Sequence, residues 1–160
     1  MEKTTKRKLL FIGDSITDVG RNRNNPDSLG KGYVALIAKA LADRDDSERY
    51  QLINRGISGN RILDIAERWH ADCVSLEPDV VTLLIGINDT WHNVGDETVF
   101  ATEAGAEQFE MHYRHLLASL RKKSDARLIL MEPFVFPYPE DRKTWRVDLD
   151  PQQEIVKRLD

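Results

Sequence analysis

Val80-Val81-Thr82-Leu83-Leu84-Ile85 is an almost unbroken apolar run. A strand with one wet face would alternate apolar and polar residues. A continuous run fits a strand covered on both faces, as in a parallel sheet. The whole segment, Asp79–Gly86, has three shorter companions: Lys8–Gly13, Tyr50–Asn54 and Arg127–Glu132. Helical patterns lie between them. Val34, Ile37, Ala38 and Leu41 share one helix face, as do Ile62, Ile65, Ala66, Trp69 and Cys73. Phe109, His112, Tyr113, Leu116, Leu117 and Leu120 form a third such stripe. A further amphipathic segment starts near Pro151, with Ile155, Val156 and Leu159 on its apolar side.

The order is β-α-β-α-β-α-β-α. It predicts an α/β fold with a mainly parallel sheet, and right-handed crossovers that place helices on both faces. The 160 residues suit a single domain, 1–160, and a 41% hydrophobic fraction supports a real core. Val135–Leu149, rich in proline, charge and aromatics, reads as a surface loop. A crossover helix in such a fold leads back to another strand. None follows the last helical pattern, so the sheet is expected to be one strand short. The exposed edge and uncovered face left behind favour self-association into homo-oligomers.

Composition removes several function classes. The net charge of −4 gives no electrostatic case for nucleic acid or an anionic membrane. Lys3, Lys6, Arg7 and Lys8 read as a solvated tail. No apolar run approaches a membrane span, and residues 9–12 are too short for a signal-peptide core. The single cysteine, Cys73, excludes an internal disulfide, and a reducing, cytoplasmic setting fits. Asn88-Asp89-Thr90 matches a glycosylation sequon and is read as coincidence.

Ligands of open α/β sheets bind beyond the carboxyl ends of the strands. Three of the four ends here carry glycine beside small polar residues: Gly13-Asp14-Ser15-Ile16-Thr17, Asn54-Arg55-Gly56-Ile57-Ser58-Gly59-Asn60 and Gly86-Ile87-Asn88-Asp89. Each alone is a turn or a helix cap. Together they suit acyl transfer, which needs a nucleophile, a base and donors for a developing oxyanion. Ser15 offers a hydroxyl. The backbone N–H groups of Ser15 and Gly59 and the side-chain amide of Asn88 offer uncharged donors.

These three blocks resemble those of the SGNH or GDSL hydrolases, a family of serine esterases and lipases. Thr17-Asp18-Val19-Gly20-Arg21, Lys31-Gly32-Tyr33-Val34-Ala35 and Gly86-Ile87-Asn88-Asp89-Thr90-Trp91 are closest to the acetylxylan-esterase-like carbohydrate deacetylases. The resemblance implies a flavodoxin-like three-layer α/β/α sandwich, truncated here before its last strand and helix. It implies Ser15 as nucleophile and Ser15, Gly59 and Asn88 as the oxyanion hole. Asp14, Arg21, Asp89, Trp91 and His92 would support the site or line its pocket. No metal or organic cofactor is implied.

The family's Asp-x-x-His block, which carries the general base, does not occur after the fourth strand of this sequence. The one string of that form is Asp89-Thr90-Trp91-His92, inside the third block. There Asp89 is expected to brace the loop and His92 to lie at the pocket rim. His70 reads as a helix-surface residue. His112 and His115, three apart on a helix, lack a carboxylate or cysteine to complete a metal site.

The preferred reading is a serine esterase acting on short-chain, first of all acetyl, esters of small molecules or carbohydrate. Trp91, Tyr138 and Trp145 are candidates for stacking on substrate. The rival readings are a flavodoxin-like anion binder using Gly13–Thr17, and a carbohydrate-binding protein without catalysis. With Ser15 lacking a base, the chain as given should hydrolyse p-nitrophenyl acetate only slowly. Strong turnover that disappears in His92→Ala would reveal an improvised base instead.

Overall fold

The computed structural model describes residues 5–93 and 103–159. Four parallel strands form one sheet: β1 (Arg7–Gly13), β2 (Tyr50–Gly56), β3 (Val80–Leu84) and β4 (Arg127–Met131), in the order β2-β1-β3-β4. This is the order of the first four strands of a flavodoxin-like 2-1-3-4-5 sheet. The chain leaves β1 first toward β2 and later returns to β1's other side for β3. That reversal opens a crevice at the carboxyl ends of β1 and β3.

The helices are α1 (Ser15–Asp18), α2 (Tyr33–Ala42), α3 (Ile62–Asp72), α4 (Ile87–Asn93), α5 (Glu103–Arg121) and α6 (Arg146–Leu159). Short 3-10 turns occupy Val74–Leu76 and Glu140–Trp145. No described helix is long and apolar enough to cross a membrane.

Strand register sorts side chains onto two faces. Leu10, Ile12, Ile53, Val81 and Leu83 point to one side, where they meet Ile65 and Trp69 of α3, Phe109, Tyr113 and Leu116 of α5, and Ile155 and Val156 of α6. The amphipathic stripes of the sequence supply this core. Cys73 lies within it, and burial pushes its thiol up to about 12, so it is an inert apolar filler.

The opposite face carries Leu9, Phe11, Val80, Thr82, Ile129 and Met131. Among the described residues only α2 covers it, through Tyr33, Ile37 and Leu41, and a groove of about 520 Å³ lies over the sheet. The expectation of helices on both faces therefore holds unequally: among the described residues three helices cover one side and one covers the other. β4 pairs with β3 alone, so its outer edge is free among the described residues, and Ile129 is 43% exposed.

Several boundaries differ from the sequence reading. Arg7 and Lys8 belong to β1 rather than to a solvated tail. The Lys8 N–H donates to Asp79 Oδ2 (2.7 Å) and its ammonium to the Leu76 carbonyl (2.8 Å). Lys6 pairs with Glu48 at 3.2 Å, and Lys3 lies outside the described residues. The segment expected as a loop up to Leu149 contains a 3-10 turn and the first turn of α6. Asp148 and Leu149 are buried there. Pro151 sits inside α6 rather than at its start. It is the sixth residue of α6, past the first turn, so its ring replaces an N–H that would otherwise donate to the Val147 carbonyl.

The unequal coverage sets the cost of mutation. Ile12→Ala, on the covered face, should lower unfolding free energy by about 3 kcal/mol, and Ile129→Ala, on the open face, by less than about 1 kcal/mol. Urea titrations of the two variants compare these directly.

Candidate active site

The GDSIT stretch performs two tasks at once. Asp14 is the N-cap of α1, its Oδ1 accepting from the Ile16 N–H at 3.0 Å. Ser15 follows as the first helical residue, and its hydroxyl makes no hydrogen bond with any described residue. Asp14 is fully buried, and its Oδ2 has no hydrogen-bond partner among the described residues. Burial therefore raises its carboxyl from the ordinary 3.8 to about 6, although the Ile16 N–H opposes the shift.

The β2 end clamps this turn in place. Asn54 Nδ2 donates to the carbonyls of Thr17 (2.8 Å) and Leu29 (2.9 Å), while its Oδ1 accepts from the Gly56 N–H (2.8 Å). Gly56 must be glycine, because an added Cβ would collide with the Thr17–Asp18 backbone. Asp18 Oδ2 accepts from the Ser58 N–H at 2.9 Å and pairs with Arg23 at 2.6 Å. Arg21 donates from Nε (3.1 Å) and Nη2 (2.7 Å) to the Gly56 carbonyl. Its side chain is nearly buried and does not line the cavity at Ser15.

Gly59 lies on the exposed loop after β2 with φ of +86°, and nothing crowds the position where a Cβ would stand. The neighbouring Asn60 links this loop to the third block, since Asn88 Nδ2 donates to the Asn60 carbonyl at 2.9 Å. One amide hydrogen of Asn88 is thus used for orientation, and the other is left for a ligand. Asp89 braces the same loop from below: its carboxylate accepts from the Ile62 N–H (3.0 and 3.2 Å) at the start of α3. Burial raises the Asp89 carboxyl to about 7, against the pull of that amide and of Arg61.

One residue absent from the sequence reading unites the loops. Arg68, on α3, donates to Asn60 Oδ1 (2.8 Å), the Arg55 carbonyl (2.8 Å) and the Gly13 carbonyl (3.1 Å), and it pairs with Asp72 (2.8 Å). No local motif marks it. An arginine on an otherwise half-buried helix face is the only trace in the sequence.

Ser15 and Asn88 line a common cavity of about 450 Å³. Ile16, Val19 and Ile87 flank them. The far wall is Phe134, Val135, Phe136, Arg142 and Trp145, together with Trp91. Trp91 stacks on Trp145 with ring centroids 6.3 Å apart and planes 22° apart. Tyr138 is 82% exposed and does not line the cavity.

None of the four histidines lines the cavity. His92 is exposed on α4, with its ring 6.3 Å from that of Trp91. His70 Nδ1 lies 3.0 Å from the Ser75 hydroxyl. His112 and His115 are joined by no third metal ligand among the described residues.

Comparison with known proteins gives the family of the chain. The model of the GDSL-like lipase/acylhydrolase family matches residues 11–159, and the chain belongs to that family of carboxylic ester hydrolases. It is 34% identical over 156 residues to an acetylxylan esterase of Geobacillus stearothermophilus. That match covers 95% of this chain and 70% of the relative. An uncharacterised Bacillus subtilis protein, YpmR, is 28% identical over 153 residues, covering 87% of this chain and 58% of that protein. Among solved structures, a Parabacteroides merdae protein assigned to the GDSL-like lipases superposes with a TM-score of 0.83 at 32% identity. That superposition covers 98% of this chain and 75% of the other. Axe2, the acetylxylan esterase of Geobacillus stearothermophilus, gives 0.78 at 32% identity, covering 99% and 74%. These relatives speak for acylhydrolases and give no support to the non-catalytic alternatives.

The buried Asp14 makes a pH-dependent contribution of definite sign. Below about 4 the carboxyl is protonated in both folded and unfolded chains and costs nothing. Between about 4 and about 6 only the unfolded chain ionises freely, so this group's contribution to stability falls, then levels off above about 6. Asp14→Asn should therefore gain on the wild type across that window by a few kcal/mol, read from urea midpoints at a series of pH values.

Proposed function

We propose that this chain carries the nucleophile and oxyanion-binding parts of a serine esterase for short-chain esters, first of all acetyl esters on carbohydrate. The observation that carries the reading is the shared cavity of Ser15 and Asn88 at the ends of β1 and β3. Ser15 Oγ would attack the ester carbonyl, forming an acyl-serine and releasing the alcohol, and water would then release the acid. The carbonyl oxygen, turning negative, would meet the second amide hydrogen of Asn88 and the backbone N–H groups of Ser15 and Gly59. Support for Gly59 comes from its place beside Asn60, whose carbonyl holds the Asn88 side chain. Asp14 and Asp89 act below the surface as helix and loop braces.

The cavity is much larger than an acetyl group needs, so most of it is left for the alcohol part of the ester. An aromatic wall with few polar groups suits the apolar face of a sugar ring. The similarity to an enzyme named acetylxylan esterase points the same way. A lipase with long acyl chains is a poorer fit, because the cavity mouth carries Arg142 and two indoles rather than an extended apolar channel.

No histidine among residues 1–160 lines the cavity, so turnover by these 160 residues is expected to be slow. A fluorophosphonate probe should label Ser15 and fail to label Ser15→Ala. In hydrolysis of p-nitrophenyl acetate, Asn88→Ala should lower kcat by roughly 100-fold with a smaller effect on KM. His92→Ala should leave the rate unchanged. Calorimetry should show acetylated xylo-oligosaccharides binding Ser15→Ala more tightly than the unacetylated sugars do. Equal labelling of Ser15→Ala, or no effect of Asn88→Ala, would remove the esterase site from these residues.

A further inference from the structure

The cavity at Ser15 carries one charge. Among the described residues, Arg142 is the only ionisable side chain in its lining. It stands on the 3-10 turn Glu140–Trp145 with its guanidinium carbon 5.6 Å from the Trp145 ring centroid. Trp145 in turn stacks on Trp91, and Trp91 lies one helical turn beyond Asn88 on α4. The wall thus runs from the amide of Asn88, across two parallel indoles, to a cation.

That cation has no counter-charge among the described residues. The Arg142 side chain makes no hydrogen bond or ion pair with a described residue. The acidic groups beside it in sequence do not serve: Lys143 holds Glu140 at 2.8 Å, and Asp141 contributes only its backbone carbonyl, to Thr144 at 2.7 Å. The Trp145 ring lies on one side of the guanidinium, and the side chain is otherwise exposed, so its planar fork can donate to a ligand. An arginine set this way matches a carboxylate presented edge-on, with two parallel charge-assisted hydrogen bonds. The chain as a whole is net negative, at −4, so a positive mouth on an otherwise neutral cavity is a local feature and not a reflection of the general surface.

We propose that Arg142 forms an acidic-sugar subsite: the ester substrate is an oligosaccharide bearing a uronate-type carboxylate near the acylated residue. The indoles take the ring faces, and the guanidinium takes the exocyclic carboxylate. The inference rests on the carbohydrate-esterase reading above, and it adds the charge of the substrate.

The test is calorimetry on Ser15→Ala, which holds ligand without turnover, using two acetylated xylo-oligosaccharides, one neutral and one with a glucuronate branch. The acidic ligand should bind about tenfold more tightly at low salt, and added salt should erode the difference. In the Arg142→Gln background the two ligands should bind alike, and Arg142→Lys should restore part of the preference. Equal binding of the two ligands to Ser15→Ala would overturn the subsite while leaving the carbohydrate reading standing. A preference that persists in Arg142→Gln would also overturn it. Failure of both ligands to bind would overturn the subsite and the carbohydrate reading together.

Discussion

A half-buried guanidinium closes the carboxyl end of this sheet. Arg68 reaches from α3 to the last residues of β1 and β2 and to the loop that follows β2. Its pKa is lowered by burial, and Asp72 offsets much of that cost by sharing the charge. Without it, three backbone or amide oxygens in the interior would lose a donor at once. Those oxygens belong to the segments that position Ser15, Gly59 and Asn88. The separation of the candidate catalytic loops is thus controlled by a side chain that touches none of the reacting groups.

The strands and the three loops were readable in the sequence because their signals are local. An apolar run followed by glycine and a small polar residue states both the end of a strand and the start of a site. Asn54 shows where this stops. Its place in the second block was plain, yet its actual work, holding the Thr17 and Leu29 carbonyls, depends on chain segments far away in sequence. The same holds for Arg68. The start of α1 was readable as a helix cap at Gly13–Thr17, whereas α4 was read only as a loop, because Ile87–Asn93 carries turn-forming residues and tertiary contacts override the weak local preference. The aromatic wall was legible only in part. Trp91 and Trp145 could be named, but Phe134 and Phe136 gave no signal beyond lying in an irregular segment.

The cover of the sheet and the placing of the site are two sides of one arrangement. The face that α3, α5 and α6 protect also anchors the loops after β2 and β3, through Ile62 and the Asp89 carboxylate at the head of α3. The open face leaves apolar side chains of β1, β3 and β4 against solvent, near α2. Binding groups and core therefore share one layer, and disturbance of the bare layer should reach them through the strands and through the Tyr33 hydroxyl, 3.1 Å from Thr17 Oγ1.

The stacked indoles at the cavity mouth have an optical corollary. Of the three tryptophans in the chain, Trp69 is sealed in the core, and the other two face each other beside Ser15. Changes in emission colour on adding a ligand therefore report the mouth and not the interior, which gives the molecule a built-in fluorescent gauge of occupancy without any attached dye.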